Sequence, residues 1–244
     1  MYQPKTYRDW VQDKDLFSYN IVIKETDLYI RSSADLKAKA LNITAKFRKE
    51  LENHIKLCPE FANSLKPLKS NDSYPQIVRD MIEASAKFDV GPMAAVAGAI
   101  SDYVGKELLQ LTEEVIIENG GDIFLSSQKK RAVGIYAGDS PLSGVYGIEI
   151  MPQNTPLGIC TSSGTVGHAF SFGKADAAVI VADSATIADA AATAVCNMVK
   201  TIGDINKALE YAKSSGLLKG AVIIKDNEMG VWGDLELCEI PAKQ

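Results

Sequence analysis

Residues 160–168, CTSSGTVGH, gather a thiol, four hydroxyls, two glycines and one of the chain's two histidines into one short loop. The hydroxyls of Thr161, Ser162 and Ser163, with Gly164 and Gly167 beside them, suit a nest of inward-turned amides that holds phosphate oxygens. His168 can move a proton as a general base, and Cys160 can act with it as a thiolate pair where the two side chains converge. The plain alternatives are a polar turn and a histidine satisfied by a carbonyl. The loop is not a P-loop, because no Gly-Lys-Ser/Thr follows, and it is not the G-x-S-x-G elbow of the hydrolases.

Two further stretches carry chemistry. In DSATIADAAATAVCNMVK, Asp189, Thr193 and Asn197 recur every four residues, next to an apolar stripe of Ala188, Ala192, Val195 and Val199 that can lie on a sheet. A carboxylate and a hydroxyl one helical turn apart can bind a hard cation such as Mg²⁺, which leaves most of its octahedron to water or substrate phosphates; a solvated helix edge is the ordinary alternative. In ENGGDIFL, Gly120 and Gly121 permit the positive φ of a tight hairpin, and Asp122 opens the next strand, where it can face a cleft at the end of the sheet.

These residues need elements to position them. YNIVIKETDLYIRSS alternates about a short turn and predicts a hairpin over 19–31; Leu36, Ala40, Ile43, Phe47, Leu51 and Ile55 predict a helix from 34 to 57. CPEFANSLKPLKSNDSYP, with three prolines, reads as a long connection to a helix over 76–88. Gly91 and Pro92 then mark a helix start, and Ala94, Ala95, Ala97, Gly98 and Ala99 keep that helix thin enough for a close neighbour. VIIEN, DIFLSS, RAVGIYA, VYGIEI, LGICT and DAAVIVA read as strands, followed by helices over 184–199 and 205–214 and by closing strands in AVIIK and WGDLELCEI. This order favours a layered α+β fold, an antiparallel or mixed sheet packed against helices, over a doubly wound one. The expected organisation is a single domain over 1–244: a hairpin and helices over 1–88, a motif-bearing core over 88–200, and a helix with strands over 201–244.

A formal charge of -5 disfavours nucleic acid as a partner, and the one basic cluster, Lys129, Lys130 and Arg131, reads as a solvated turn between strands. No apolar run reaches the length of a membrane span, and MYQPKTYRDW lacks an apolar signal region, so the expected location is cytoplasmic. Four cysteines at 58, 160, 196 and 238 form no C-x-x-C pair and read as reduced thiols. A homo-oligomer joined across the Ala-rich helices is compatible with the sequence, with no particular residue behind it.

In order along the chain, FDVGPMAAVAGAISDYVGKELLQ, VIIENGGDIFL, RAVGIYAGDSP, CTSSG with His168, and ADSATIADAAATAV resemble the motifs of the ApbE family of flavin transferases, formerly described as thiamine biosynthesis lipoproteins. The resemblance spans about 88–200 and points to a short branch of that superfamily. It implies an ApbE-like fold, Asp189 and Thr193 as Mg²⁺ ligands, and a phosphate-containing ligand such as FAD or another flavin nucleotide. Gly120, Gly121, Asp122, Thr161, Ser162, Ser163 and Gly164 would then line the ligand site, and His168 would serve the hydrolysis or transfer of a flavin phosphate. The chain departs from the family pattern at Ala95, where a lysine is usual, and at Ser171, where an aspartate is usual. Those departures keep a non-catalytic cofactor-binding or carrier protein as an alternative. Archaeal relatives linked to sulfide assimilation add a third reading, in which Cys160 handles sulfur.

Overall fold

The computed structural model describes residues 15–166 and 172–240. Eleven strands and six α-helices follow one another there: β1 Phe17–Ile23, β2 Thr26–Ser32, α1 Lys37–Leu57, α2 Glu60–Asn63, α3 Gln76–Lys87, α4 Val96–Leu108, β3 Val115–Asn119, β4 Asp122–Ser126, β5 Arg131–Gly134, β6 Tyr146–Ile150, β7 Leu157–Ser162, β8 Ala177–Ala182, α5 Ala185–Met198, α6 Ile205–Ser214, β9 Leu218–Lys225, β10 Glu228–Gly233 and β11 Glu236–Glu239. The expected helices and strands are present, with ends shifted by a few residues. Three details differ. A 3-10 turn, Pro92–Ala95, precedes α4; the proline-rich connection contains α2, pinned by buried Phe61; and WGDLELCEI breaks into two strands at Gly233, where φ is +101°.

An eight-stranded sheet in the order β1-β2-β3-β4-β7-β8-β9-β10 and a three-stranded sheet in the order β11-β6-β5 carry the fold. Every pairing joins antiparallel strands. Because side chains alternate across a strand, the large sheet has two apolar faces. Ile117, Phe124, Cys160, Ala178 and Ile180 pack under the helices. Ile116, Leu125, Ile159, Val179 and Val181 pack against the small sheet through Val133 and Ile148. The result is three layers, helices over sheet over sheet. Central β8, AAVIVA, is buried at all positions, as a strand covered on both faces must be.

The basic turn corrects the sequence reading. Lys129 and Lys130 are exposed, but the Arg131 guanidinium is buried, paired with Asp15 and Glu114 at 3.0 Å each and donating to Ser127 at 2.9 Å. Its partners lie 116 and 17 residues away, so nothing local in KKR announced them.

At the C-terminal end of α1, His54 is buried with its ring edge-on to Phe61 and Tyr74. Burial lowers its pKa below the ordinary 6.5, since a charged imidazole is poorly solvated there. Below about pH 6.5 the unfolded chain therefore takes up a proton that the folded chain refuses, and stability falls as pH drops toward the folded-state value. Urea midpoints measured on either side of pH 6.5 are expected to show this loss, and His54→Phe is expected to flatten it.

Candidate functional site

Four stretches meet under the helical layer: the hairpin between β3 and β4, the start of α4, the strand β7 with the loop after it, and the helix α5. The hairpin is closed by the pair Asn119 and Asp122, and its two tip residues, Gly120 and Gly121, have φ of +68° and +117°, a two-residue loop that needs glycine. It is tied to α4 by Asn119 Nδ2 donating to Ala97 O at 3.2 Å and by Ser101 Oγ donating to Asp122 O at 3.1 Å.

Helix α5 begins at the β7 end marked by Gly158. A Cβ at Gly158 would lie 2.3 Å from Ala185, and a Cβ at Gly98 would lie 2.2 Å from Ala185 O. Strand, α4 and α5 can therefore touch only where both positions lack side chains. Ala188, Ala191, Ala192 and Val195 are buried below. Ser184 caps the helix by accepting from Ile187 N, an ordinary N-cap.

A second cap comes from 82–84 residues earlier in the chain. Asp102 on α4 is 1% exposed. Its carboxylate accepts from Ser184 Oγ at 2.6 Å, Ala185 N at 2.9 Å, Thr186 N at 3.0 Å and Thr186 Oγ1 at 2.8 Å. It satisfies the amides that start α5 and places a negative charge at the positive end of the helix dipole. The sequence reading missed this residue, because an aspartate inside a helical pattern gives no local sign of a partner that far along the chain.

One turn further into α5, Asp189 accepts from Gly98 N at 2.9 Å. Across from it stands Asp122, with Cys160 as its register partner in the sheet. Asp122 Oδ1 is buried and has no hydrogen-bond partner. Burial pushes the Asp122 carboxyl up to about 7, opposed by the neighbouring Cys160 thiol and by a hydrogen bond from the Thr161 amide. The Asp189 carboxyl is raised well above the usual carboxylate range, first by burial and then by the charge of Asp122. A buried carboxyl coupled to a half-buried one, with no cation between them, is the costly arrangement that either protonation or a metal ion relieves.

Each predicted site residue has a place in this picture. Asp122 and Asp189 come together, and Thr193 lies one turn along α5 from Asp189, half-buried and without a hydrogen-bond partner among the described residues. Asn197 does not continue the row of free oxygens, because its Oδ1 accepts from Phe172 N at 2.7 Å. Cys160 is fully buried. Its thiol donates to Ala185 O at 3.3 Å, and burial with the nearby carboxylates of Asp122, Asp189 and Asp102 pushes its pKa well up. Burial and a raised pKa both weigh against the thiolate reading of Cys160. His168 and Gly167 lie outside the described residues.

The loop after β7 is described as far as Val166. Ser163 Oγ accepts from Thr165 N at 3.1 Å and Val166 N at 3.0 Å, and Gly164 N donates to Ala175 O at 2.9 Å. These three amides close a turn, while Gly167, the second glycine of the expected anion nest, lies outside the described residues. Gly164 is required for a different reason: a Cβ there would sit 2.1 Å from Gly173 O. Asp176, another residue the sequence reading missed, fixes the turn by accepting from Thr165 Oγ1 at 2.9 Å and Asp226 N at 2.6 Å. Thr161 and Ser162 end β7 beneath the turn. The turn rests against the far end of α5, where a Cβ on Gly173 would lie 1.7 Å from Cys196 O, so loop and carboxylates share one helix.

This layered α+β arrangement is that of known proteins. The flavinyl transferase ApbE of Pseudomonas stutzeri, in its apo form, shares it at a TM-score of 0.56 and 12% identity, over 89% of this chain and 93% of that one. The ApbE protein of Thermotoga maritima shares it at 0.55 and 14%, over 88% and 96%. Sequence relatives are much nearer. A UPF0280 protein of Methanopyrus kandleri is 39% identical over 230 residues, covering 89% of this chain and 91% of that one, and a UPF0280 protein of Methanocaldococcus jannaschii is 40% identical over 225 residues, covering 90% and 91%. The family model described as "AbpE bacteria" matches residues 8–231. The chain belongs to that family, and its fold is that of the ApbE proteins. Among the described residues no helix is long and apolar enough to cross a membrane.

Replacing Asp102 with Ala leaves two buried amides and two hydroxyls without their acceptor, a loss of about 3–5 kcal/mol for a removed buried charge partner. The Asp102→Ala chain is expected to show this as a lowered urea midpoint with an unchanged slope.

Proposed function

We propose that the chain binds a phosphate-containing cofactor of the flavin-nucleotide type through Mg²⁺, and acts on a phosphate bond of that cofactor by hydrolysis or transfer. The observation that carries this reading is the pair Asp122 and Asp189, the first buried and the second half-buried, with Asp122 Oδ1 lacking any partner among the described residues. A buried, unsatisfied carboxylate oxygen beside a second carboxylate is a donor set short of a hard cation. Asp189, Thr193 and Asp122 would hold the ion, which would neutralise phosphate charge and position the reacting bond. Among the described residues no three His, Cys, Asp or Glu side chains cluster as a metal site; Mg²⁺, with its few protein ligands, suits such a site better than Zn²⁺ does.

The chain's own residues take the remaining parts. Gly120 and Gly121 leave open space at the hairpin tip, where a Cβ on Gly120 would meet nothing within 4 Å, so a ligand can approach the backbone there. Thr161, Ser162, Ser163 and Gly164 form the wall of the site, with phosphate held through the cation more than by the loop amides. Asp102 fixes the start of α5 and thereby the position of Asp189. His168 would accept the proton of the attacking hydroxyl or water. The family match over most of the chain supports treating 1–244 as one ApbE-like domain, and the free cysteines accord with a reducing cytoplasm.

Calorimetric titration of FAD with and without Mg²⁺ tests the site. Binding is expected to require Mg²⁺ and to be lost in Asp189→Ala and weakened in Asp122→Asn; binding of equal strength in the Asp189→Ala chain sinks the assignment.

A second reading, a carrier that binds the cofactor without turnover, has one feature in its favour. The start of α4 next to Asp189 offers only Ala95, Val96, Ala97 and Gly98, so no cationic side chain of that segment stands beside a transferring phosphate. Phosphorus NMR of FAD incubated with the protein and Mg²⁺ separates the two. Hydrolysis adds water across the pyrophosphate to give flavin mononucleotide and AMP, whereas a carrier leaves the two pyrophosphate signals shifted but intact. The sulfur reading is not carried forward, because it needs an accessible thiolate at Cys160.

A further inference from the structure

Among the described residues the large sheet ends in two edge strands, β1 and β10. Strand β10 begins with Glu228 and contains Gly230 and Gly233, the latter with φ of +101°. Strand β1, FSYNIVI, has no charged residue, proline or glycine, and its pairing with β2 runs from Phe17 to Ile23 without a bulge. Charge, proline and bulges are the devices by which an edge strand refuses a further strand, and β1 has none of them. Phe17 and Val22 on it are 55% and 63% exposed. The alanines of α5, by contrast, are buried inside the chain, so a homo-oligomer is not joined there.

The hairpin dictates which way the backbone groups of β1 point. Lys24 and Glu25 form a two-residue turn, with Ile23 paired to Thr26 across it, and the hydrogen bond of the turn joins that pair. Bonded pairs alternate along an antiparallel ladder. Ile23, Ile21, Tyr19 and Phe17 are therefore bonded to β2, while the N–H and C=O groups of Ser18, Asn20 and Val22 point out of the sheet edge. Among the described residues nothing donates to them or accepts from them.

We propose that a second copy of this chain occupies that edge, β1 against β1, in an antiparallel two-fold dimer. One register pairs all three outward residues with one another: Asn20 opposite Asn20 on the axis and Ser18 opposite Val22 on either side, each pair exchanging both bonds. The same register sets exposed Phe17 against Ile23 of the second copy and Tyr19 against Ile21. These are aromatic rings against β-branched side chains, and they extend the apolar face that lies under the helices. Charge is compatible with it. Past the strand ends Asp15 comes opposite Glu25, but Arg131 and Lys129 already hold the first and Arg48 the second. Lys129, itself exposed beside Asp15, adds an attraction for Glu25, whose side chain is 83% exposed. The large sheet then runs unbroken through both copies, and the Asp122 and Asp189 pair, on β4 and α5, stays clear of the joint.

Sedimentation equilibrium of the full-length protein tests this. The average mass is expected to rise from that of one chain toward that of two as concentration passes through the micromolar range, because a joint one strand wide is a small interface. Asn20→Lys sets two lysines face to face on the axis, and Asn20→Pro removes the central donors without touching the bonds to β2. Each is expected to weaken association by about tenfold or more. Val231→Lys on β10 is expected to leave it unchanged, and urea midpoints near that of the wild-type chain show that the variants are folded. A single-chain mass at every concentration overturns the proposal. So does a dimer that survives both Asn20 variants or is lost in Val231→Lys, and so do species beyond the dimer, which β1 joined to β10 of another copy would build.

Discussion

The seating of α5 decides the rest of the site. An Ala-rich helix brings little side-chain bulk to hold it in place, so its position depends on steric contact and on one buried ion. Gly158 and Gly98 let Ala185 descend onto β7 and against α4 until backbone meets backbone. At that depth the first amides of α5 are cut off from water, and only a buried acceptor can satisfy them. Asp102 is that acceptor, with four hydrogen bonds between 2.6 and 3.0 Å. The amides and hydroxyls that it receives compensate the burial of its charge.

The same close approach creates the electrostatic character of the site. Asp102, Asp122 and Asp189 all lie near Cys160 under one layer of helices. Only Asp102 has a full set of donors. Asp189 is served by the amides at the start of α4, and Asp122 keeps one oxygen with nothing to accept. The acidic character therefore increases toward the hairpin tip, where the two glycines leave the backbone bare. A fold assembled for stability alone has no use for an unsatisfied carboxylate at the mouth of a bare hairpin, and the proposed cation with its phosphate ligand would supply an acceptor's missing partner there.

The helices and strands were legible because their signals are local. A period of three to four residues gave α1, and apolar runs of five to eight residues bounded by glycine and polar turns gave most of the sheet. Asp122, Asp189 and Thr193 were legible as candidates, since a hairpin of two glycines and a one-turn spacing on a helix are short-range patterns. Asp102 and Asp176 were not, because the groups they serve come from other elements. Arg131 was misread for the same reason: beside two exposed lysines it looks solvated until Asp15 and Glu114 are brought to it. Gly164 was recognised as special but for the wrong cause, since a missing Cβ can answer to positive φ or to a neighbouring backbone, and one sequence does not distinguish them.

By itself, the sequence determined the layered α+β class, the positions of the elements and the family, since each follows from periodicity, turn chemistry or ordered motifs within one stretch of chain. Tertiary structure alone decided which polar groups are satisfied and which are left waiting. Cys160 was placed as a buried thiol, the amides of Gly164, Thr165 and Val166 were spent on a turn, Asp122 was left with a free oxygen, and His54 was enclosed between the rings of Phe61 and Tyr74. Burial and hydrogen bonding are properties of neighbours in space, and the neighbours here come from residues up to more than a hundred positions apart.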